Sequence, residues 1–386
     1  MFVSAKSFHR YQLAIATLLG ALGLVACGGG SSATSPYSCP TLSTRASPSG
    51  SIGSVVDPVV ASEMKAQGLV GMTVAIAKNG TVLYAQGYGY ADLSNCQAAQ
   101  PGNEFQIGSV TKQFTAAAVL QLQNAGMLDI DHAVAGYLPS YGFDSRITLR
   151  MLLNQTSGLA DYLAFAAAPS WVNGVSEQTV LTAIAQAPLI LTPGSSYSYS
   201  NSNYYILGSI IEAVSGITYP NYLADNIFTP VGLSHTSYLQ PLDFASPYKA
   251  GPVPGAIPDP SLFFSAAALW SNVTDLATWD AALRNDKVIP ASLLTIMTTP
   301  PSVPSTQGGP SVYAMGWVRG SEVGHPFVWH NGKTESYTAF NGFFLDDGFS
   351  VTMLTNTPED QTTPLLSLAE MIINAVCTTS ATAGSC

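Results

Sequence analysis

The chain has 386 residues, of which only 9% are charged, and 23 acids against 13 bases leave it at −10. An acidic chain with so few charges, no basic patch and no aromatic-basic interleaving argues against nucleic acid as a partner. A 47% hydrophobic content over this length suffices for one large continuous domain.

In chain order, Lys6, His9 and Arg10 precede an apolar run from Leu13 to Ala26. The run is short for a bilayer span and has the layout of a secretory signal. It ends in Leu24-Val25-Ala26-Cys27, which resembles a bacterial lipobox. That resemblance implies a lipoprotein-type signal peptide over 1–26, cleavage before Cys27, and acylation of its thiol. Acyl chains would hold the protein on a membrane surface without a span. Removing 1–26 takes away Lys6 and Arg10 and no acid, so the balance falls from −10 to −12. Gly28-Gly29-Gly30-Ser31-Ser32-Ala33-Thr34-Ser35-Pro36 opens a flexible tether over 27–52, ahead of a domain over 53–386. The expected location is the bacterial cell envelope: the periplasmic face of an outer membrane, or the outer face of a single membrane. The lack of Asp after Cys27 favours the former.

Four further cysteines, Cys39, Cys96, Cys377 and Cys386, make an even count in an exported chain and suggest disulfides. Three pairings are open. If Cys377 and Cys386 close a short C-terminal loop, Cys39 is left with Cys96. No cysteine sits in a C-x-x-C and no histidine pair has zinc-ligand spacing, so neither metal nor cofactor is expected.

Residues 55–67 read as an amphipathic helix. Two β-branched runs, 70–77 and 81–87, flank Asn79-Gly80, a strong hairpin signal. From 111 to about 293 most segments are helix or loop, with helices predicted near 112–125, 148–154, 176–187, 203–215, 219–226, 273–283 and 291–298. Strand character returns at 312–319, 325–330, 337–345 and 349–355, with a second turn at Asp347-Gly348 and a last helix at 362–376. Strands at both ends and helices between them predict an α/β (α+β) fold. The two ends form one antiparallel sheet with flanking helices, and a mostly helical region over about 112–300 is inserted between them.

Ser109-Val110-Thr111-Lys112 carries the first chemical signal. Ser109 falls at the mouth of a predicted helix with Lys112 one turn along on the same face. A desolvated lysine there loses proton affinity and can take the serine proton, and the helix N-terminus favours a nearby oxyanion. Tyr199-Ser200-Asn201 is the second: a tyrosine whose pKa a lysine lowers can act as base, and an amide can orient lysine or substrate. Val328-Trp329-His330-Asn331-Gly332-Lys333 is the third, a strand with a glycine where substrate can lie along backbone.

In this order and spacing the three resemble the serine β-lactamase and penicillin-binding-protein superfamily. The nearest branch comprises class C β-lactamases, D-alanyl-D-alanine carboxypeptidases and family VIII esterases. The resemblance runs from about 55 to 376 and includes Leu152-Leu153-Asn154-Gln155-Thr156-Ser157-Gly158-Leu159, with Gln155 where histidine is usual, and Met315-Gly316-Trp317. It implies a β-lactamase-like fold. Ser109 is then the acyl-accepting nucleophile, with Lys112 and Tyr199 sharing the proton transfers. Asn201 positions Lys112 or the substrate amide, and the backbone N–H groups of Ser109 and Lys333 form an oxyanion hole. The strand motif is His330-Asn331-Gly332 rather than Lys333-Thr334-Glu335, which lacks the glycine. His330 replaces a lysine that would pair with a substrate carboxylate, which favours a D-Ala-D-Ala-type peptide or a small ester over a β-lactam. A β-lactamase is the alternative within the class; a non-catalytic penicillin-binding or sensor lipoprotein is the alternative outside it. A monomer is expected. Tyr162, Trp171, Phe263, Phe264 and Trp270 are candidates for a pocket wall, with Trp270 leaning to core. The Ala266-Ala267-Ala268-Leu269 segment stands where related chains often have Gly-Gly, and the sequence offers no account of it.

Overall fold

The computed structural model describes residues 37–40, 52–164, 174–358 and 365–378. Its nine strands are β1 Gly71–Lys78, β2 Thr81–Asp92, β3 Gln97–Ala98, β4 Phe105–Gln106, β5 Trp270–Ser271, β6 Val318–Glu322, β7 His325–Lys333, β8 Thr338–Phe344 and β9 Phe349–Thr355. Seven form one sheet in the order β3-β2-β1-β9-β8-β7-β6, and β4 pairs with β5 separately. The two chain ends meet where β1 runs antiparallel to β9, in register Ala75↔Thr352. The α-helices are α1 Ile52–Gln67, α2 Thr111–Asn124, α3 Val134–Tyr137, α4 Leu149–Leu153, α5 Glu177–Gln186, α6 Asn201–Ser215, α7 Tyr219–Leu223, α8 Thr229–Val231, α9 Pro260–Ala267, α10 Val273–Arg284, α11 Ala291–Met297 and α12 Leu365–Thr378.

The unbroken apolar sequence of β1 follows from its place at the middle of three layers. Val74 and Ile76 face α1 and α12, packing in one cluster with Val56, Val60, Leu368 and Ile372. Ala75 faces the other way, into the cluster built on the inserted region with Phe114, Leu276 and Trp279. Helix α2 is buried from Thr111 to Leu120 on every side, as a helix running through the core must be. Its polar Gln113 is held there because its Oε1 accepts from Asn341 Nδ2 at 3.1 Å and from Trp279 Nε1 at 3.2 Å. These bonds tie α2 to the sheet and fix the register of the helix that carries Lys112.

Most expected elements occur, with shifted bounds. The strand expected at 312–319 is instead β6 at Val318–Glu322, because the stretch before it turns at Gly316, φ +79°. A Cβ on Gly316 would stand 2.7 Å from the carbonyl oxygen of Lys112, so glycine permits this loop to close on α2. The short helix α9 was not expected from the sequence; Asp259 caps it by accepting from Ser261 N. Residue 52, placed in the tether, opens α1, and the tether range itself is interrupted at 37–40 by a Cys39–Cys96 disulfide. Cys377 is also disulfide-bonded, and Cys386 lies outside the described residues, as do the signal segment, Cys27 and Trp171. Among the described residues no helix is long and apolar enough to cross a membrane.

Candidate active site

Ser109 sits in a short 3-10 turn, Gly108–Val110, that feeds directly into α2. Gly108 has φ +51°, and a Cβ there would stand 2.6 Å from the Lys333 nitrogen. A Cβ on Gly332 would stand 1.9 Å from the Ile107 carbonyl oxygen and 3.0 Å from the Ser109 nitrogen. Two glycines on facing backbones thus let β7 lie against the serine turn. That approach brings the backbone around Lys333 close to that around half-buried Ser109.

Lys112 is fully buried, and each of its three protons has an acceptor. They are Ser109 Oγ at 3.0 Å, Asn201 Oδ1 at 2.9 Å and the Ala266 carbonyl at 2.9 Å. Burial pushes its pKa down to about 7, against an upward pull from the Asp161 carboxylate. The Ala266 bond also gives the Ala266–Leu269 segment a role: its backbone closes the pocket around the ammonium.

Tyr199 donates its hydroxyl to Ser109 Oγ at 2.9 Å, and its ring lies 4.9 Å from Lys112 Nζ. The expectation of a lowered phenol pKa is not met. Burial holds it well above the ordinary value, although the Ser109 bond acts the other way. Tyr199 is therefore a neutral donor at rest, and Lys112 is the group placed to accept the serine proton.

The loop that brings Tyr199 here is held by Gln155, in left-handed backbone conformation at φ +62°. Its Oε1 accepts from Ser200 N at 3.0 Å and from Asn203 Nδ2, and its carbonyl accepts from Ser198 N at 2.9 Å. Asn201 opens α6, with its Oδ1 toward Lys112 and its Nδ2 donating to Asp161 Oδ2 at 2.9 Å. Asp161 Oδ2 also accepts from Asn201 N at 3.2 Å, so both donors of that residue end on one carboxylate. Sequence reasoning missed Asp161, although it stands two residues beyond the Thr156-Ser157-Gly158-Leu159 stretch.

His330 is buried, 6.3 Å from the Tyr199 ring and 5.6 Å from that of Tyr313. Its Nδ1 lies 2.5 Å from the Asn331 carbonyl oxygen and its Nε2 3.1 Å from the Tyr313 hydroxyl. A carbonyl only accepts, so Nδ1 carries the proton and Nε2 takes that of Tyr313. Burial, then the charge of Lys112, push its pKa down to about 3, leaving a neutral imidazole. His330 and Gly332 alternate toward the site, whereas Asn331 and Lys333 point to the other face of the strand, and the Lys333 side chain is exposed. Of the proposed pocket aromatics, Tyr162 and Trp270 belong to the core, Phe264 is nearly buried and Phe263 half-buried. Among the described residues no cluster of His, Cys, Asp or Glu could hold a metal ion.

A buried lysine and a tyrosine converging on one serine, at the edge of an antiparallel sheet with an inserted helical region, define a β-lactamase-fold serine hydrolase. The family model described as Beta-lactamase matches residues 56–369, and the chain belongs to that family. It is 28% identical over 336 residues to Protein flp of Staphylococcus aureus, covering 83% of this chain and 66% of that protein's length. Among solved structures it resembles the octameric penicillin-binding protein homologue from Pyrococcus abyssi (TM-score 0.74, 24% identity, 86% of this chain and 78% of that one). It also resembles a D-stereospecific amidohydrolase from Streptomyces sp. (TM-score 0.70, 25% identity, 85% and 98%).

Proposed function

We propose that this protein is an exported, lipid-anchored serine hydrolase that cleaves amides or esters through an acyl-enzyme on Ser109, small esters and amides without a terminal carboxylate foremost and D-Ala-D-Ala-type peptides after them. The observation that carries the reading is the convergence of Lys112 Nζ at 3.0 Å and the Tyr199 hydroxyl at 2.9 Å on Ser109 Oγ. With Lys112 near half-neutral at pH 7, the Ser109 proton passes to Nζ as Oγ attacks the substrate carbonyl. The N–H groups of Ser109 and Lys333 hold the oxyanion. Collapse of the tetrahedral adduct expels the amine or alcohol, protonated from Lys112 through the Tyr199 hydroxyl. Water then attacks the ester, gives its proton back along the same path, and restores Ser109.

The neutral His330 bears on substrate choice. Where a β-lactam or a peptide C-terminus presents a carboxylate, an imidazole held uncharged offers no ion pair. Amides and esters without an anion at that position therefore fit best, and likeness to a D-stereospecific amidohydrolase supports an amide substrate. The test is steady-state hydrolysis of p-nitrophenyl butyrate, a D-amino-acid amide and benzylpenicillin by wild type and Ser109→Ala. Turnover of ester or amide well above penicillin, lost in Ser109→Ala, is expected; equal rates for the two proteins would refute the reading.

A further inference from the structure

The sheet has two dissimilar ends. One row of paired residues, Lys333–Thr338–Thr355–Met72–Tyr88, crosses it at the end where β2 leads into the turn bearing Cys96. Here Cys39 is bonded to Cys96, and the Tyr90 hydroxyl donates to the Pro40 carbonyl. The loop 237–256 is fastened to the same end: Ser246 N donates to Ala91 O at 2.8 Å, and Leu93 N to the Tyr248 hydroxyl at 2.7 Å. From this loop Leu239 projects at 72% exposure, Leu242 at 104% and Val253 at 52%. The opposite end holds the Lys78–Asp347 pair and the Arg284–Asn79 bond, and its exposed apolar side chains project less: Val82 at 40%, Leu83 at 41% and Val323 at 37%.

We propose that the Cys39–Cys96 end of the domain docks on a zwitterionic lipid surface, with Leu239 and Leu242 entering the interfacial layer. The proposal rests on the lipid anchor at Cys27 set out above. Eleven residues lie between Cys27 and Cys39, and twelve steps of ~3.4 Å reach at most about 40 Å. That is less than the roughly 50 Å breadth of a domain of this size. Without the disulfide the next described point is Ile52, 25 residues on, and the leash of about 85 Å would let any face approach the membrane. The disulfide therefore selects the end nearest the membrane, and that end carries the projecting leucines. A lone exposed leucine is ordinary; three exposed apolar side chains on one loop, itself hydrogen-bonded through Ser246 and Tyr248 to the chain that leads to Cys96, are not. Asp92, Asp243 and Glu335 on this end stand against Lys249 and Lys333, a near balance that gives no net pull toward an anionic surface. Ser109 lies against Gly332, one residue along β7 from that row, so the serine turn belongs to the same end of the sheet.

The test uses the full acylated chain on phosphatidylcholine vesicles, with an environment-sensitive dye at Leu242→Cys or, as control, at Val323→Cys on the β6–β7 turn. A blue-shifted dye at 242 that bromine-bearing lipid chains quench, and a dye at 323 that they do not, is the expected result. Loss of that quenching in Cys39→Ser/Cys96→Ser is expected as well. A protein that floats with the vesicles while both dyes stay equally wet overturns the docking and leaves the anchor standing. A protein that does not float overturns both. Turnover of p-nitrophenyl butyrate in the same samples reports the hydrolase reading separately.

Discussion

Lys112 and Asp161 are joined through Asn201, whose amide oxygen accepts from the ammonium while its nitrogen donates to the carboxylate. The carboxylate both locks the amide orientation and raises the lysine pKa against burial. Asp161→Asn is therefore expected to free the Asn201 amide to flip and to lower the lysine pKa further. A fall in kcat/KM of about 10²-fold, for a misplaced catalytic group, should accompany a shift of the acid limb to lower pH. Measured pH profiles of the two proteins check this; an unshifted limb would make Asp161 merely structural.

Lys112 itself sets the wild-type profile. Its folded pKa is depressed to about 7, so the neutral, proton-accepting form grows as pH rises through that value. kcat/KM for a neutral ester should climb through about pH 7 and level off above it. Lys112→Arg, which cannot deprotonate, is expected to abolish the reaction at every pH while circular dichroism stays native.

Tyr199→Phe removes the donor 2.9 Å from Ser109 Oγ and keeps the ring against Lys112. A loss of about 10²–10⁴-fold in kcat is expected, typical of a positioned proton-transfer group, with little change in melting temperature. An unaffected rate would remove Tyr199 from the chemistry.

Much of this was legible in the sequence because it is local or patterned. The Ser109–Lys112 spacing alone places two side chains on one helical face, and the alternation along β7 puts His330 and Gly332 together. What was not legible depends on burial or on distant partners. Asp161 lies 40 residues from Asn201, and no local pattern links them. The protonation of Tyr199 was misread because proximity to a lysine suggests a lowered pKa, whereas desolvation decides it. Helix α9 escaped notice because it is eight residues long, behind Pro258-Asp259-Pro260, and bends at Phe264, φ +40°, a conformation no propensity favours.

The close approach of β7 to the serine turn makes Gly332 the position least tolerant of a side chain. Gly332→Ala must push the strand off Ile107, where the added carbon would lie 1.9 Å from the carbonyl oxygen. Displacing the Lys333 N–H in this way should lower kcat by about 10²-fold or more. The same change at exposed Gly136, whose Cβ would meet nothing within 4 Å, should leave activity intact; comparing the two rates checks the geometry.

The Cys39–Cys96 bond spans 57 residues and closes a loop around α1, β1 and β2. Cys39→Ser/Cys96→Ser is expected to lower stability by about 2–4 kcal/mol, read as an earlier urea midpoint. Turnover of a soluble ester should be unchanged, since neither cysteine touches the site.

The most direct measurement is the intact mass of wild type and Ser109→Ala after brief mixing with p-nitrophenyl acetate and an acid quench, followed by peptide mapping. An acetyl group on Ser109 in wild type, and none on the variant, is the predicted result. An acyl group on another residue, or a variant that turns the ester over as fast as wild type, would contradict nucleophilic catalysis by Ser109.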